Sequence, residues 1–350
     1  MNHLPRNTDL PPVDVTVVVG SYNRSAMLAE TIDSLTALDT SLPGGGRFTY
    51  EVVAIDNAST DDTQAVLARY ADPALRGNAE RVRGFYEAEP GVTYARNRGL
   101  LEAAGEWIAF HDDDQRAHPQ WLVKLQELAC RRNLKVVGGA VHLSLPEDNT
   151  RVLAPECRVL LGEKVGWTQE QPYTRKRIPG TNNLMLRRSV LEEVGIFDTR
   201  IKDGGEDADL YRRIRAAGNE AWYTPEAIVY HLIPGPRLAD QYMKWTATRH
   251  GQHLALREYK EWGRAKLGGM LAIRAVQASC SYFPRYAVAI LFGRREEALG
   301  KRALLWRSQA YLARAWSLFR KGDAESGAHD ASLNLREGRE KLIHGASSAG

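Results

Sequence analysis

Short apolar runs rich in β-branched residues alternate with helical patterns over the first part of the chain, and this alternation constrains the fold more than any other feature. The runs at 13–19, 50–55 and 107–110 are too short for surface helices and predict buried strands. Each is followed by a polar loop and then by apolar residues at helical spacing. Strand, loop and helix in series predict an α/β protein whose sheet is flanked by helices.

Acidic residues directly follow two of these predicted strands. Asp112, Asp113 and Asp114 come after the run at 107–110, and Asp56 ends the middle run. In open α/β sheets, ligands bind outside the carboxyl ends of the strands. Three adjacent anions need a cation, and hard oxygen ligands suit Mg²⁺ or Mn²⁺ that arrives with a phosphate group. The alternative for the triplet is a solvated acidic turn that caps the next helix.

Polar groups follow the first run at the same predicted edge. Ser21, Tyr22 and Asn23 offer hydrogen-bonding groups and a ring for stacking, although a turn before a helix explains them equally well. A carboxylate after the second strand, here Asp56, can hydrogen-bond a base or a ribose. The chain contains no Gly-x-Gly-x-x-Gly or phosphate-loop motif, so dinucleotide-binding and ordinary kinase functions lose their main support.

Four further residues carry groups suited to phosphate binding or proton transfer. Arg96 lies near a helix start, where a guanidinium can meet a diphosphate, but a solvent-facing arginine is the default on any helix. Glu206 and Asp207 follow two glycines and open a helix, where acids are also enriched for electrostatic reasons. His231 ends the last predicted strand at the same edge, either as a ligand or as a structural histidine.

Composition excludes several other classes of protein. The 350 residues, 43% hydrophobic and 26% charged, can form one large domain with an appendage. No apolar stretch is long enough to span a bilayer, and the N-terminus lacks a signal-peptide pattern. The three cysteines lack metal-ligand spacing, so zinc is not indicated. We expect a cytoplasmic protein without a nucleic-acid partner.

Positive charge is concentrated near the C-terminus. Residues 237–320 carry 16 Lys and Arg against 5 Asp and Glu, whereas residues 1–236 carry 27 against 33. The basic segment mixes cations with aromatic and apolar residues, which is typical of interfacial helices on anionic lipid at the inner face of the cell membrane. The alternative is a helical subdomain whose aromatic residues form its core.

Together these motifs resemble family 2 glycosyltransferases with the GT-A fold. The matching segments follow the order and spacing of that family and are distributed over about residues 13–235. They are residues 17–24, 56–61, 112–114, 180–197 and 205–207.

The resemblance implies a GT-A nucleotide-diphospho-sugar transferase fold, a Rossmann-like mixed sheet flanked by helices, over residues 13–236. Residues 13–115 would form the nucleotide-sugar half and residues 116–236 the acceptor half. Beyond residue 236 the resemblance is weak, and charge and composition predict a basic helical extension at 237–320. Residues 1–12 are predicted to be an N-terminal tail, and residues 321–350 a flexible C-terminal tail.

The resemblance also implies a reaction. A sugar would move with inversion from a UDP-, GDP- or dTDP-linked donor to a hydroxyl of a glycan or lipid-linked acceptor. The reaction would use Mg²⁺ or Mn²⁺ and belong to surface-polysaccharide or glycoconjugate synthesis.

The site residues that this resemblance implies come from both halves of the domain. They are Ser21, Tyr22, Asn23, Asp56 and Asp113 for the nucleotide, Arg96 for the diphosphate, Asp112, Asp114 and His231 for the metal-bridged donor, Asp207 as base, and Asn182 and Asn183 for the acceptor.

The chemistry of sugar transfer requires a metal ligand and a base, independently of the resemblance. Expulsion of a nucleoside diphosphate is eased by a metal that neutralises its charge. The acceptor hydroxyl needs a carboxylate on the opposite face to take its proton. Asp114 and Asp207 fit these roles, and Glu206 is the rival base.

The chain departs from the processive members that it resembles. Where they carry Gln-x-x-Arg-Trp, Gln241 is followed by Lys244 and Trp245, and no spanning segment comes after. We therefore expect one sugar per encounter. Trp245 could stack on an acceptor sugar, or it could be a buried helix aromatic.

Two other functions remain open at this point. A nucleotidyltransferase also uses a metal on an α/β sheet, but a basic Gly-rich phosphate loop after the first strand is not visible. A catalytically silent nucleotide-sugar or carbohydrate-binding module would not need Asp114 and Asp207 intact.

Overall fold

The computed structural model describes residues 10–175, 177–201 and 204–322. Most of the predicted N-terminal tail at 1–12 and all but two residues of the predicted tail at 321–350 lie outside the described residues.

The described residues form two compact units. The first contains the residues before 143 together with 164–232, and the second contains 143–163 together with the residues from 233 onward. The segment 143–163, which the sequence places in the acceptor half, thus belongs with the C-terminal helices. Its apolar side chains share a core with them.

A mixed sheet of nine strands forms the centre of the first unit, as far as the structure describes it. The strands are β1 (Val15–Ser21), β2 (Tyr50–Asp56), β3 (Arg81–Tyr86), β4 (Trp107–Asp112), β5 (Gln115–Ala117), β6 (Val136–Ser144), β7 (Gln171–Pro172), β8 (Asn183–Arg187) and β9 (Ala221–Leu232). Their order is β3-β2-β1-β4-β8-β6-β9-β5, and β7 pairs with β9. Strands β1 to β4 pair in parallel, and β8 runs antiparallel to β4.

Helices cover both faces of this sheet and also build the second unit. They are α1 (Ser25–Thr36), α2 (Thr63–Tyr70), α3 (Val92–Glu102), α4 (Trp121–Arg131), α5 (Pro155–Leu160), α6 (Arg188–Val194), α7 (Glu206–Ala216), α8 (Asp240–Gln277), α9 (Phe283–Leu291) and α10 (Arg295–Lys321).

Two apolar clusters hold the sheet between its helices. Helices α1 and α4 pack on one face, for example through Ile32 and Leu125, and helices α3, α6 and α7 pack on the other, for example through Leu100 and Ile214. Because both faces are covered, β1, β2 and β4 are buried along nearly their whole length. The predicted α/β class, with strands near 13–19, 50–55 and 107–110, is confirmed.

The second unit is helical, and α8 and α10 form its framework. Helix α8 bends at Gly263, whose φ of 71° is unfavourable for residues with a side chain. A π-helical turn, Ala278–Tyr282, links α8 to α9. No helix within the described residues is both long and apolar enough to cross a membrane.

Candidate active site

Strand register gathers the predicted site residues at one edge of the sheet. In the parallel pairs, Ser21 lies opposite Asp56, and Gly20 lies opposite Asp112. Since the carboxyl ends of parallel strands share an edge, the loops after β1, β2 and β4 meet there.

Two antiparallel strands bring further residues to the same edge. Strand β8 begins with Asn183 opposite His111, the residue before Asp112. Strand β9 places His231 opposite Gln115, directly after the acidic triplet. Residues that are 72 and 116 positions apart in the chain therefore become neighbours.

Arg24 and Ser21 hold the second and third acids of the triplet. The Arg24 guanidinium lies 2.6 Å from Asp113 and 3.0 Å from Asp114, and the Ser21 hydroxyl donates to Asp113 at 2.8 Å. His231 Nε2 lies 3.4 Å from Asp114 Oδ2. Asp113 and Asp114 are thus buried, partnered carboxylates and not a solvated helix cap.

The two buried acids have opposite pKa shifts. Burial raises the pKa of Asp113 to about 6, although the charge of Arg24 opposes the rise. Burial also acts to raise the pKa of Asp114, but the charges of His231 and Arg24 outweigh it and hold that pKa well below its usual range. Asp114 is therefore the acid of this pair that keeps its negative charge over the wider pH range.

Arg96 joins the first acid of the triplet to the acids of α7. Its guanidinium lies 2.9 Å from Glu206, 3.4 Å from Asp207 and 3.5 Å from Asp112. We call these four residues the Arg96 cluster. The sequence predicts Arg96 as a diphosphate ligand; in this structure its guanidinium neutralises carboxylates.

The two candidate bases differ in access and orientation. The side chain of Asp207 is 30% exposed and that of Glu206 is 12% exposed. Thr181 orients Asp207 twice, through its hydroxyl at 2.5 Å and its backbone N–H at 3.2 Å. Gly205 precedes this helix with a φ of 102°, a left-handed conformation that favours glycine.

Of the two predicted acceptor residues, Asn182 lies close to a lysine and Asn183 is buried. Lys164 donates to the Asn182 side chain at 3.1 Å. The Asn183 amide donates to the carbonyls of Ala140 and Ala227 and accepts from the Trp121 indole. Because these partners use its side chain inside the sheet, we assign Asn183 to the fold and leave Asn182 as the acceptor candidate.

The loops after β1 and β2 are joined by Asn23. Its side chain accepts from the backbone of Thr60, and its own N–H donates to Ser59. Its φ of 49° is a left-handed conformation that Asn adopts more readily than most residues. Tyr22 in the same loop is half-buried.

Asp56 is buried at the end of β2. One carboxylate oxygen accepts from the backbone of Ser59, and the other, Oδ2, has no hydrogen-bond partner among the described residues. A buried acceptor without a donor is unfavourable, so this position suits a ligand that brings an N–H or O–H group.

Trp245 belongs to the second unit. It is half-buried against the apolar core there and contacts the ring of Tyr242, with centroids 5.6 Å apart. This packing agrees with the helix-core alternative, and its predicted role at an acceptor stays a prediction.

The site contains carboxylate oxygens of the kind that a divalent cation prefers. Five carboxylates, in Asp112 to Asp114, Glu206 and Asp207, lie with the cations Arg24, Arg96 and Lys164. Asp112 is 39% exposed and available to a ligand. As the side chains stand, no three His, Cys, Asp or Glu residues within the described ranges converge as metal ligands.

Sequence reasoning missed three residues of this site. Arg24 directly follows the polar loop after β1, and Thr181 lies beside Asn182, so the position of each in a matching segment is a signal that could have found them. Lys164 lies in a stretch with no recognisable pattern. An isolated antiparallel β-bridge between Val141 and Lys164 places it at the site.

The geometry agrees with a comparison to known families. The profile described as glycosyl transferase family 2 matches residues 16–195, which is more than half of the chain. The chain belongs to glycosyl transferase family 2. The matched segment contains both the acidic triplet and Thr181.

Curated relatives resemble this family 2 chain over part of their length. It is 25% identical to glycosyltransferase AglE of Haloferax volcanii over 217 residues, 62% of this chain and 66% of AglE. It is 38% identical to the succinoglycan biosynthesis protein ExoO of Rhizobium meliloti over 241 residues, 63% of this chain and 62% of ExoO. The chain spans between half and two thirds of the length of the first curated relatives it matches.

A solved structure shares the fold. The mannosyltransferase PcManGT of Pyrobaculum calidifontis, solved with GDP-mannose and Mn²⁺, superimposes with a TM-score of 0.55 and 23% identity, covering 90% of this chain and 88% of PcManGT. The GT-A fold predicted from the sequence motifs is confirmed.

Proposed function

We propose that this family 2 chain is a metal-dependent, inverting glycosyltransferase that moves a sugar from a nucleotide-diphosphate donor to a hydroxyl of a glycan or lipid-linked acceptor. The observation that carries the proposal is the Arg96 cluster. It joins an acid at the end of β4, suited to the donor, with an acid at the start of α7, suited to the acceptor. The name of ExoO, a succinoglycan biosynthesis protein, supports a role in surface-polysaccharide synthesis.

Asp112 and Asp114 would hold the Mg²⁺ or Mn²⁺ ion, with His231 as a further ligand. Carboxylate oxygens are hard ligands of the kind that both ions prefer. When bound, such an ion neutralises the charge of the leaving nucleoside diphosphate. Arg24 and Arg96 carry positive charge beside the same carboxylates. When the donor binds, either guanidinium would turn to hydrogen-bond the diphosphate oxygens.

The nucleotide itself would lie over the ends of β1 and β2. The partnerless oxygen of Asp56 accepts a hydrogen bond from the base or the ribose, and Tyr22 offers a ring for stacking. Asn23 and Ser21 support this region by holding the loop and Asp113 in place.

Asp207 acts as the general base. The acceptor hydroxyl gives its proton to the Asp207 carboxylate while its oxygen attacks the anomeric carbon on the side opposite the leaving diphosphate, which inverts the configuration. Thr181 orients the carboxylate, and Asn182, whose side chain accepts from Lys164, would hydrogen-bond the acceptor sugar. Glu206 is less exposed and closer to Arg96, which favours a supporting role.

Thermal unfolding with candidate donors tests the proposal. UDP-, GDP- and dTDP-sugars are added with and without Mn²⁺, because a ligand that binds only the folded state raises Tm by mass action. We expect one donor class to raise Tm in the presence of Mn²⁺ and to lose most of this effect when EDTA is added. No stabilisation by any donor, with or without metal, would contradict the proposal.

Two variants show whether the acidic triplet is responsible. Asp114→Ala should abolish the metal-dependent rise in Tm, whereas Asp72→Ala, which removes an exposed acid at a short helical turn, should keep it. Circular dichroism of the ligand-free variants checks that both are folded. Unchanged donor stabilisation in Asp114→Ala would remove Asp114 from the metal site.

A further inference from the structure

Exposed apolar side chains are concentrated in the helices of the second unit. Of the fifteen large apolar side chains that are exposed in the described residues, ten lie between 262 and 319. Leu291 is 79% exposed and Phe292 is 65% exposed, at the end of α9. We call the ten together the apolar face: Trp262, Ile273, Val276, Phe283, Val288, Ile290, Leu291, Phe292, Trp316 and Phe319.

An open groove with apolar walls lies between the second half of α8 and the end of α10. Its volume is about 730 Å³, within the range of small-molecule sites. Gly268 lets the Phe319 ring lie against α8, since an added Cβ there would meet the ring at 3.1 Å. The rings of Trp316 and Phe319 stack at 6.0 Å. The groove is lined by Gly268, Leu271, Ala272, Ala275, Leu312, Ala313, Trp316 and Phe319.

The charge around this face is mostly positive. Residues 262–295 contain six Lys and Arg residues and no Asp or Glu. Arg285, Arg294 and Arg295 are exposed on or beside α9, and Arg264 and Lys266 are exposed near the groove end of α8. A surface that is both apolar and predominantly positive suits a partner that offers hydrocarbon and negative charge together.

We propose that the apolar face binds the surface of an anionic lipid bilayer, with Leu291 and Phe292 in the headgroup region and a lipid hydrocarbon chain in the groove. Amphipathic helices of this kind lie in the interface plane, and burial of apolar side chains adds to attraction by anionic headgroups. A second copy of the chain fits less well, because the exposed cations Arg264, Lys266, Arg285 and Arg295 of two such faces would repel one another.

The inference goes beyond the proposed transfer reaction, since it needs neither donor nor metal. The sequence allowed the aromatic residues of α10 to lie either at a lipid interface or in a helical core. In the structure, some lie in each. Tyr311 is 1% exposed and belongs to the helix core, whereas Trp316 is 53% exposed and belongs to the apolar face.

Vesicle co-sedimentation of the full-length chain tests this surface. We expect binding to phosphatidylcholine vesicles that contain phosphatidylglycerol, weak binding to phosphatidylcholine alone, and a decrease at high salt as the charges are screened. Leu291→Ser with Phe292→Ser should lower the partition coefficient about tenfold or more, because two exposed apolar side chains leave the headgroup region. Val152→Ser, an 84% exposed residue of the same unit outside the face, is the matched control.

Two results would overturn the proposal. One is absence of binding to the anionic vesicles at low salt. The other is a self-association of the wild type in sedimentation velocity that the Leu291→Ser, Phe292→Ser variant loses, which would assign the face to a second copy.

Tryptophan quenching by brominated phospholipids tests the groove separately. The acyl-chain bromines should quench part of the wild-type fluorescence, and Trp316→Phe should remove much of that quenched part. Trp306→Phe is the control, because Trp306 is half-buried against a core of the second unit. Equal quenching in the two variants would show that no lipid chain enters the groove.

Discussion

In the proposed reaction, Arg96 would link the residues that bind the two substrates. It contacts an acid at the end of β4 and two acids at the start of α7. Because it already neutralises these carboxylates, a donor diphosphate arriving at the site competes with them for the guanidinium. The position of the Asp207 carboxylate can thereby depend on whether a donor is bound.

Replacement of Asp207, the proposed base, gives the sharpest test at the scale of single residues. Asp207→Asn keeps the size of the side chain but cannot take a proton, so we expect turnover to fall by about a hundred- to ten-thousand-fold while donor binding persists. Steady-state transfer or donor-hydrolysis rates, with Tm shifts for donor binding, provide the measurement.

Glu206→Gln is the matched control for this experiment. It removes the neighbouring charge without touching the carboxylate that Thr181 orients, so turnover should fall much less. If Glu206→Gln shows the large decrease in turnover and Asp207→Asn the small one, Glu206 is the base and Asp207 supports it.

At the scale of elements, Glu51 ties several of them together from inside the sheet. This fully buried acid on β2 accepts from the Thr16 hydroxyl on β1 and from the Ala104 backbone after α3. It also pairs with Arg81 and Arg83 of β3, at 2.7 and 3.0 Å. A buried charge with this many partners stabilises only while all of them are present.

The pKa of Glu51 is lowered on folding, which predicts a pH dependence of stability. Burial alone would raise this pKa, but the hydrogen bonds from Ala104 and Thr16 and the charge of Arg83 outweigh it. The contribution of Glu51 to stability is therefore complete above its ordinary pKa of 4.5 and is lost as the pH falls through the lower folded value.

Glu51→Gln should remove this contribution. We expect the variant to lose about 3–5 kcal/mol of unfolding free energy at neutral pH, as when one partner of a buried ion pair is removed. The difference from wild type should shrink below pH 4.5. Urea unfolding at several pH values measures the loss of unfolding free energy and its pH dependence, and Glu80→Gln is an exposed control. A loss that is independent of pH would contradict a lowered pKa for Glu51.

For the whole molecule, the segment 143–163 matters more than its irregular sequence indicates. Leu153, Cys157 and Leu161 are buried in one cluster with Met243 and Leu299 from the C-terminal helices. Arg151 pairs with Glu296, and Lys301 with Glu156, in the same unit. This segment and the C-terminal helices therefore form a single folding unit.

Truncation tests this organisation. A chain that ends at residue 236, the predicted domain boundary, would leave the apolar side chains of 143–163 without most of their core. We expect it to bind the dye ANS, to aggregate, and to unfold at a lower temperature than a chain that ends at Gly322. Equal solubility and equal Tm for the two chains would contradict the prediction.

Much of the fold and part of the site follow from the sequence alone. The spacing of apolar residues that marks a strand or a helix lies within that short segment of the chain. The order of elements near 13–131 could therefore be predicted from the sequence. The convergence of Asp56 and Asp112 was predictable too, because acids that end parallel strands share an edge of the sheet. The motifs also identified the family.

Only the tertiary structure decided which side chains meet across long separations. Arg24 reaches Asp113 over 89 positions and Lys164 reaches Asn182 through an irregular segment, contacts that no local period encodes. An apolar stripe on a helix predicts that this face is buried, but it does not identify the segment that packs on it. The sequence therefore could not assign 143–163 to the C-terminal helices. For the same reason, packing alone separated buried Tyr311 from exposed Trp316.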